Sequence, residues 1–192
     1  MNLTGITDKK EFYLKHFYDS LTLNKIVNLK EIDSLCDIGS GAGFPGIVLK
    51  IAFPHLKITL VDSLNKRIIF LNEVINNLNL KNIEAICTRA EDYSRINEEK
   101  YDLVTARAVA SLSVLLECSI RLVKINKFFV AMKGNQIESF NHEKELQVKK
   151  IEEIDFKLPF EESERKLIKF QKINSTPQKY PRAYSAIKAK PL

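Results

Sequence analysis

Short apolar runs recur along the chain with helix-patterned stretches between them. The runs are Leu35–Ile38, Ile58–Val61, Ile83–Cys87, Leu103–Ala106 and Phe128–Met132, the length and composition of strands buried on both faces. Between them, Asn65–Leu80 carries apolar residues at 68, 69, 71, 74, 75 and 78, one face of a helix. Gly46–Phe53, stopped by Pro54, and Ser111–Val123 read the same way. Strands alternating with helices predict a parallel sheet with crossover helices. Beyond residue 148 the period shortens to two: Val148–Leu158 and Lys166–Ile173, joined through Pro159–Glu164, predict a closing antiparallel hairpin. Upstream, Asp8 and Glu11 have capping-box spacing, and Phe12, Tyr13, His16, Phe17 and Leu21 mark a short amphipathic helix over about residues 8–21. The expected fold class is α/β, a mostly parallel seven-stranded sheet ending in an antiparallel hairpin.

At 192 residues the chain suits one domain, too short for a cofactor domain plus a substrate domain. No repeat or low-complexity linker interrupts it. No run approaches the roughly 18 apolar residues of a membrane span, and no apolar signal segment opens it, so a cytoplasmic protein without membrane association is expected. Cys36, Cys87 and Cys118 are widely spaced inside apolar segments and read as buried thiols rather than a disulfide or metal set. No metal site is expected.

The net charge of +6 is unevenly placed. From Arg165 to Leu192 there are eight basic residues and no acidic ones, leaving 22 basic against 24 acidic elsewhere. A near-neutral body with a basic end suits a polyanion such as RNA. Ser175–Leu192, with three prolines and no helical period, reads as a mobile basic tail.

Four of the six glycines fall in DIGSGAGFPG, Asp37–Gly46, at the junction of the first strand and the first helix. Such junctions bind ligands in doubly wound sheets, where a missing Cβ lets a ligand approach the backbone. Gly41, Gly43 and Gly46 satisfy G-x-G-x-x-G, and Asp62 lies 21 residues beyond Gly41, so a nicotinamide dinucleotide is admissible by spacing. The alternating Asp37, Gly39, Gly41, Gly43 equally resembles the first motif of the Rossmann-like methyltransferases that use S-adenosylmethionine (SAM). In either reading Asp62 accepts from ribose hydroxyls. Arg89-Ala90-Glu91-Asp92, after the third strand, can read the edge of an adenine. Strand four ends in Thr105-Ala106-Arg107-Ala108, which carries neither the Asn/Asp-Pro-Pro-aromatic loop of adenine amino methyltransferases nor a nucleophilic cysteine. A reaction needing no activated nucleophile is favoured, and guanine N7, with its in-plane lone pair, fits.

Taken together, DIGSGAGFPG, VDSLNKRIIFL, TRAEDY, TARAVASL, MKG, the terminal KYPR, and the front segments NLTGI and His16-x-x-Asp19-Ser20-Leu21 resemble the GidB (glucose-inhibited division protein B) family. These are bacterial guanine-N7 methyltransferases of small-subunit (16S) ribosomal RNA. The resemblance implies a SAM pocket containing Asp37, Gly39, Gly41, Gly43, Phe44, Asp62, Ala90, Glu91 and Arg107, with Arg107 positioning cofactor, RNA phosphate or guanine O6. Lys66, Lys133, Lys179, Arg182, Lys188 and Lys190 become candidate RNA contacts, and His16 a structural histidine. The expected partner is small-subunit ribosomal RNA or the small subunit itself, bound by a monomer. Family members usually carry some tens of residues before NLTGI, so a shortened front is expected to alter how RNA or cofactor is enclosed. A small-molecule SAM methyltransferase and a non-catalytic nucleotide or RNA-binding module are the alternatives. The division of labour expected is that Gly39 and Glu91 serve SAM, while Lys179, Arg182, Lys188 and Lys190 serve RNA alone.

Overall fold

The computed structural model describes residues 8–107, 109–135 and 138–192; the NLTGI segment lies outside them. Residues 9–21 form one helical stretch: α1 (Lys9–Phe12), a wider π-helical turn (Tyr13–Tyr18) and α2 (Asp19–Leu21). The Asp8 carboxylate caps it by accepting from Glu11 N at 2.8 Å. Glu11 completes no reciprocal box and pairs with Lys15 instead.

Then follow β1 (Ser34–Ile38), α3 (Gly46–Ala52), β2 (Lys57–Asp62), α4 (Asn65–Asn77), β3 (Ile83–Cys87) and α5 (Ala90–Ile96). The second half is β4 (Tyr101–Arg107), α6 (Leu112–Ser119), β5 (Val123–Lys133), α7 (Glu143–Leu146), β6 (Val148–Lys157), β7 (Glu164–Lys172) and α8 (Tyr184–Ala189). The seven strands lie in the order β3-β2-β1-β4-β5-β7-β6. β1 to β5 run parallel, and β7 is antiparallel to both β5 and β6.

Alternate residues of each strand feed two cores. Leu35, Leu60 and Leu103 pack towards α3 and α4, whereas Cys36, Val61 and Val104 pack towards α5 and α6. This two-sided burial is why the strands read as continuous apolar runs.

Three expectations are corrected. The third helix closes at Ser119, and after a 3₁₀ turn Val123 already pairs with Tyr101 in β5; a β-branched residue with a ladder partner takes the strand. Cys87 is exposed, unlike Cys36 and Cys118. The C-terminal segment is no loose tail: Tyr180 and Ile187 are buried in the packed interior, and α8 lies on α6.

Candidate active site

The chain leaves β1 towards β2 and β3 on one side, and returns through β4 to β5 on the other, so β1 and β4 are neighbours at a topological switch point. The carboxyl ends of strands at such a point open a crevice. The glycine loop spans it. Gly39 has φ +69° and donates to Val61 O at 2.8 Å. A Cβ there would sit 2.6 Å from Val109 Cγ2 across the crevice.

Asp37 lies beneath the loop, fully buried, its Oδ2 accepting from Gly46 N at 3.0 Å. Burial pushes its carboxyl up to about 7, against the pull of the Gly46 amide and the Arg107 charge. Gly46 packs so tightly that a Cβ would meet Leu60 Cδ2 at 2.2 Å, and a Cβ on Gly43 would meet Ile47 Cγ1 at 2.5 Å. Asp37 and Gly43, expected as cofactor residues, therefore shape the loop from below and do not line the cleft.

The cleft above is lined by Gly39, Asp62, Ala90 and Glu91, with Arg67, Arg89, Leu115, Cys118 and Tyr184. Asp62 is held by three donors: Leu64 N at 2.9 Å, and Gly41 N and Arg67 Nη1 at 3.0 Å each. Gly41 thus acts on the site by fixing this carboxylate. Glu91, in the first turn of α5, is only 4% exposed. Its nearest cation, Arg89, stands at 3.9 Å. Among the described residues no hydrogen bond reaches the Glu91 carboxylate, which lines the cleft and is open to a donor from a ligand. The Cys118 thiol, pushed up to about 12 by burial and the nearby Glu91 and Glu117 charges, stays neutral. Apolar walls, an unused acceptor beside Ala90 and a fixed carboxylate at the end of β2 suit a nucleoside.

Arg107 and Phe44 are not in that cleft. Arg107, the last residue of β4, donates from Nη1 to Asp19 Oδ2 and Lys15 O, both at 3.0 Å, and from Nη2 to His16 Nδ1 at 3.1 Å. Its guanidinium lies 5.4 Å from the centre of the Phe44 ring, on which His16 stacks at 4.7 Å. Burial and the Arg107 charge hold His16 below its ordinary value. The neutral ring accepts at Nδ1, so its proton sits on Nε2, which is buried and finds no partner among the described residues. Arg165 reaches the same Asp19 from β7, at 3.2 Å. His16, Asp19, Arg107 and Arg165 line a second cavity with Lys15 and Lys133. Two arginines sharing one carboxylate leave it net positive.

Of the expected RNA contacts, Lys66, Lys179, Lys188 and Lys190 are exposed. Two are already engaged with partners of their own. Lys133 is nearly buried, bonded to Ala110 O and paired with Glu138 at 2.8 Å. Arg182 is spent on the fully buried Glu117, whose oxygens take its Nε and Nη2 at 2.6 Å each and its backbone N at 3.1 Å. Asp19, Arg165 and Tyr184 received no site role from the sequence because their partners lie far along the chain. Among the described residues no three His, Cys, Asp or Glu side chains gather to hold a metal.

The strand order, the glycine loop at the β1–β4 switch and the cleft beside it define the Rossmann-like fold of the SAM-dependent methyltransferases. Solved structures share the fold: a SAM-dependent methyltransferase from Aquifex aeolicus has a TM-score of 0.63 at 16% identity, covering 85% of this chain and 94% of that one. TYW2 of P. horikoshii in complex with MeSAdo has a TM-score of 0.66 at 12% identity, covering 89% and 66%. In sequence, residues 1–168 match the family GidB, rRNA small subunit methyltransferase G. The Ribosomal RNA small subunit methyltransferase G of Bacillus licheniformis is 50% identical over 189 residues, and that of Bacillus subtilis 49%; each match covers 95% of this chain and 79% of the relative. The chain belongs to the GidB family.

Proposed function

We propose that this chain is a single-domain, monomeric, cytoplasmic enzyme that transfers the methyl group of SAM to N7 of one guanine in small-subunit (16S) ribosomal RNA. The observation that carries the reading is the buried Glu91 carboxylate, free to accept from an adenine amino group, in a cleft that also holds Asp62. Ala90 N–H, Glu91 and Asp62 would hold the nucleoside, and the Gly39 backbone at the cleft's edge would face the amino-acid chain. SAM supplies an electrophilic methyl on a sulfonium centre.

Guanine N7 attacks through an in-plane lone pair. Bound SAM would supply the methyl to N7 with S-adenosylhomocysteine as the leaving group, and no proton would have to be removed. The chain's own residues fit that economy: His16, the ionisable ring nearest the second cavity, has Nδ1 occupied by Arg107. What the protein contributes is positioning and exclusion of water. The net-positive pair of Arg107 and Arg165 around the single Asp19 carboxylate supports a role in gripping the phosphate of the target nucleotide. In an RNA duplex N7 faces a deep, narrow groove, so the target is expected in an unpaired or opened stretch. Exposed Lys66, Lys179, Lys188 and Lys190 add a sequence-independent hold on the backbone.

Tritiated-methyl transfer from SAM to unmodified small subunits and to naked ribosomal RNA, followed by borohydride and aniline cleavage, tests this directly. One cut establishes base and position together. Label without a cut would move the acceptor atom elsewhere. No label in either substrate, with transfer to a small molecule or none, would refute the proposal.

A further inference from the structure

The family match ends at residue 168, yet the segment beyond β7 folds back onto the cleft. Its backbone is stitched to the two helices that carry the cleft's adenine end. Arg95 of α5 donates from Nη2 to the carbonyls of Pro181 and Arg182, at 3.1 and 3.0 Å. Arg121, just past α6, donates to Tyr180 O at 3.1 Å. Arg182 closes on Glu117, which sits in α6 beside the cleft-lining Cys118. Two residues after that anchor, Tyr184 opens α8 and enters the cleft wall, near Ala90 and Glu91.

The Tyr184 ring is part of a layered edge. The Arg89 guanidinium lies 5.1 Å from its centroid and 3.9 Å from the Glu91 carboxylate. One arginine therefore links an aromatic face to the carboxylate suited to an adenine edge. Tyr184 still leaves 38% of its surface exposed, although α8 is otherwise seated through the fully buried Ile187. An aromatic ring on the rim of a nucleoside-shaped cleft, beside an unused acceptor, offers a purine the face its π-surface needs.

We infer that Tyr184 is a cofactor-contacting residue, supplying a stacking wall for the purine of the nucleoside, and that the Arg182–Glu117 pair is the positioning device that holds it there. The inference rests on the reading that the cleft takes SAM. It makes the C-terminal segment part of the cofactor site, whereas the sequence alone assigned its basic residues to RNA only. Lys179, Lys188 and Lys190, on the same segment, remain exposed, so one piece of chain carries a nucleoside contact and the cations that face solvent.

The test is titration of the full chain with S-adenosylhomocysteine and with 5′-methylthioadenosine, which lacks the amino-acid portion, followed by calorimetry and by tyrosine fluorescence. The chain has six tyrosines and no tryptophan, so a stacked tyrosine is visible in the quench. Tyr184→Ala is expected to weaken both ligands by about ten-fold, within the range for a lost aromatic–base stack. Tyr184→Phe should rescue most of that loss while removing part of the quench. Arg182→Gln should weaken both ligands too, with Arg182→Lys recovering part of the loss. Thermal melts show that each variant is folded; if Tyr184→Ala is not, Tyr184→Leu keeps the bulk without the aromatic face. Unchanged affinity in a folded Tyr184→Ala or Tyr184→Leu protein overturns the inference, as does a Phe variant no better than Ala. Failure of the unmutated chain to bind either ligand overturns the cofactor reading itself, and is seen before any variant is made.

Discussion

Replacing Arg182 with alanine would strand a carboxylate inside the protein. Glu117 is 0% exposed at its side chain, Arg182 is 29% exposed, and three donors of the arginine residue converge on the two Glu117 oxygens at 2.6 to 3.1 Å. Removing one partner of a buried pair costs about 3–5 kcal/mol, because the other charge is left without compensation. Water has some access through the exposed part of Arg182, which places the expectation near the lower end, about 3 kcal/mol. The double variant Glu117→Leu/Arg182→Ala removes the stranded charge and is expected to recover most of that loss. Urea denaturation followed by circular dichroism, with m compared across variants, reads both numbers. A loss below about 1 kcal/mol for Arg182→Ala, the size of a surface ion pair, would show that the pair does not anchor the segment, and the tail would be as loose as its proline content suggests.

Asp37→Asn should flatten part of the pH profile of stability. With the folded carboxyl at about 7 against an ordinary 3.8, the folded state holds a proton that the unfolded state has released across that window. Wild-type stability therefore falls as pH rises from about 4 to 7, by up to about 4 kcal/mol, while the Asn variant escapes this fall; parallel profiles in urea melts at pH 4.5 and 7.5 would contradict the burial argument. Gly39→Ala places a methyl at φ +69° and 2.6 Å from Val109. It is expected to cost about 1–2 kcal/mol of stability and to abolish S-adenosylhomocysteine binding by calorimetry, and retained binding would show that the loop is not the cradle. Glu91→Gln should weaken that ligand about ten-fold or more, since the amide supplies one neutral acceptor where a carboxylate met a donor; an unchanged Kd would remove Glu91 from the site. Neutralising Lys179, Lys188 and Lys190 to Gln should weaken RNA binding and lower its salt slope by about two units, with cofactor affinity intact. A loss of cofactor affinity equal to the loss for RNA would show that these side chains, too, support the cleft wall.

What the sequence disclosed, and what it hid, divides by distance along the chain. β3 begins and ends where its apolar run does, and the glycine loop announced the β1–β4 crevice through local composition alone. Asp62 and Glu91 were legible because they follow directly on the strands that deliver them. Seven-residue α5 was missed: Ala90-Glu91-Asp92-Tyr93-Ser94-Arg95-Ile96 buries Glu91, Tyr93 and Ser94, two of them polar, so no apolar stripe marks it. The C-terminal segment misled for a related reason. Its order comes from Arg95, Arg121 and Glu117, reached across 59 to 87 residues, and composition sees only prolines and positive charge. Phe44 and Arg107, adjacent to the crevice in sequence, turn instead to His16 and Asp19, partners a linear reading could name but not place.

The Asp19 carboxylate bonds Arg107 and Arg165, 88 and 146 positions further along the chain. A ribosome makes the chain from its amino end, so the N-terminal helix must wait, unpaired at Asp19, until β4 and then β7 have been synthesised. The parallel half of the sheet can assemble in the meantime from nearer neighbours, since contacts of short sequence separation close first. The second cavity is therefore incomplete until β7 has emerged. A chain cut short before Arg165 could fold its glycine loop and still lack the two-arginine cluster, so the phosphate grip proposed for that cluster would belong only to molecules whose synthesis has passed β7.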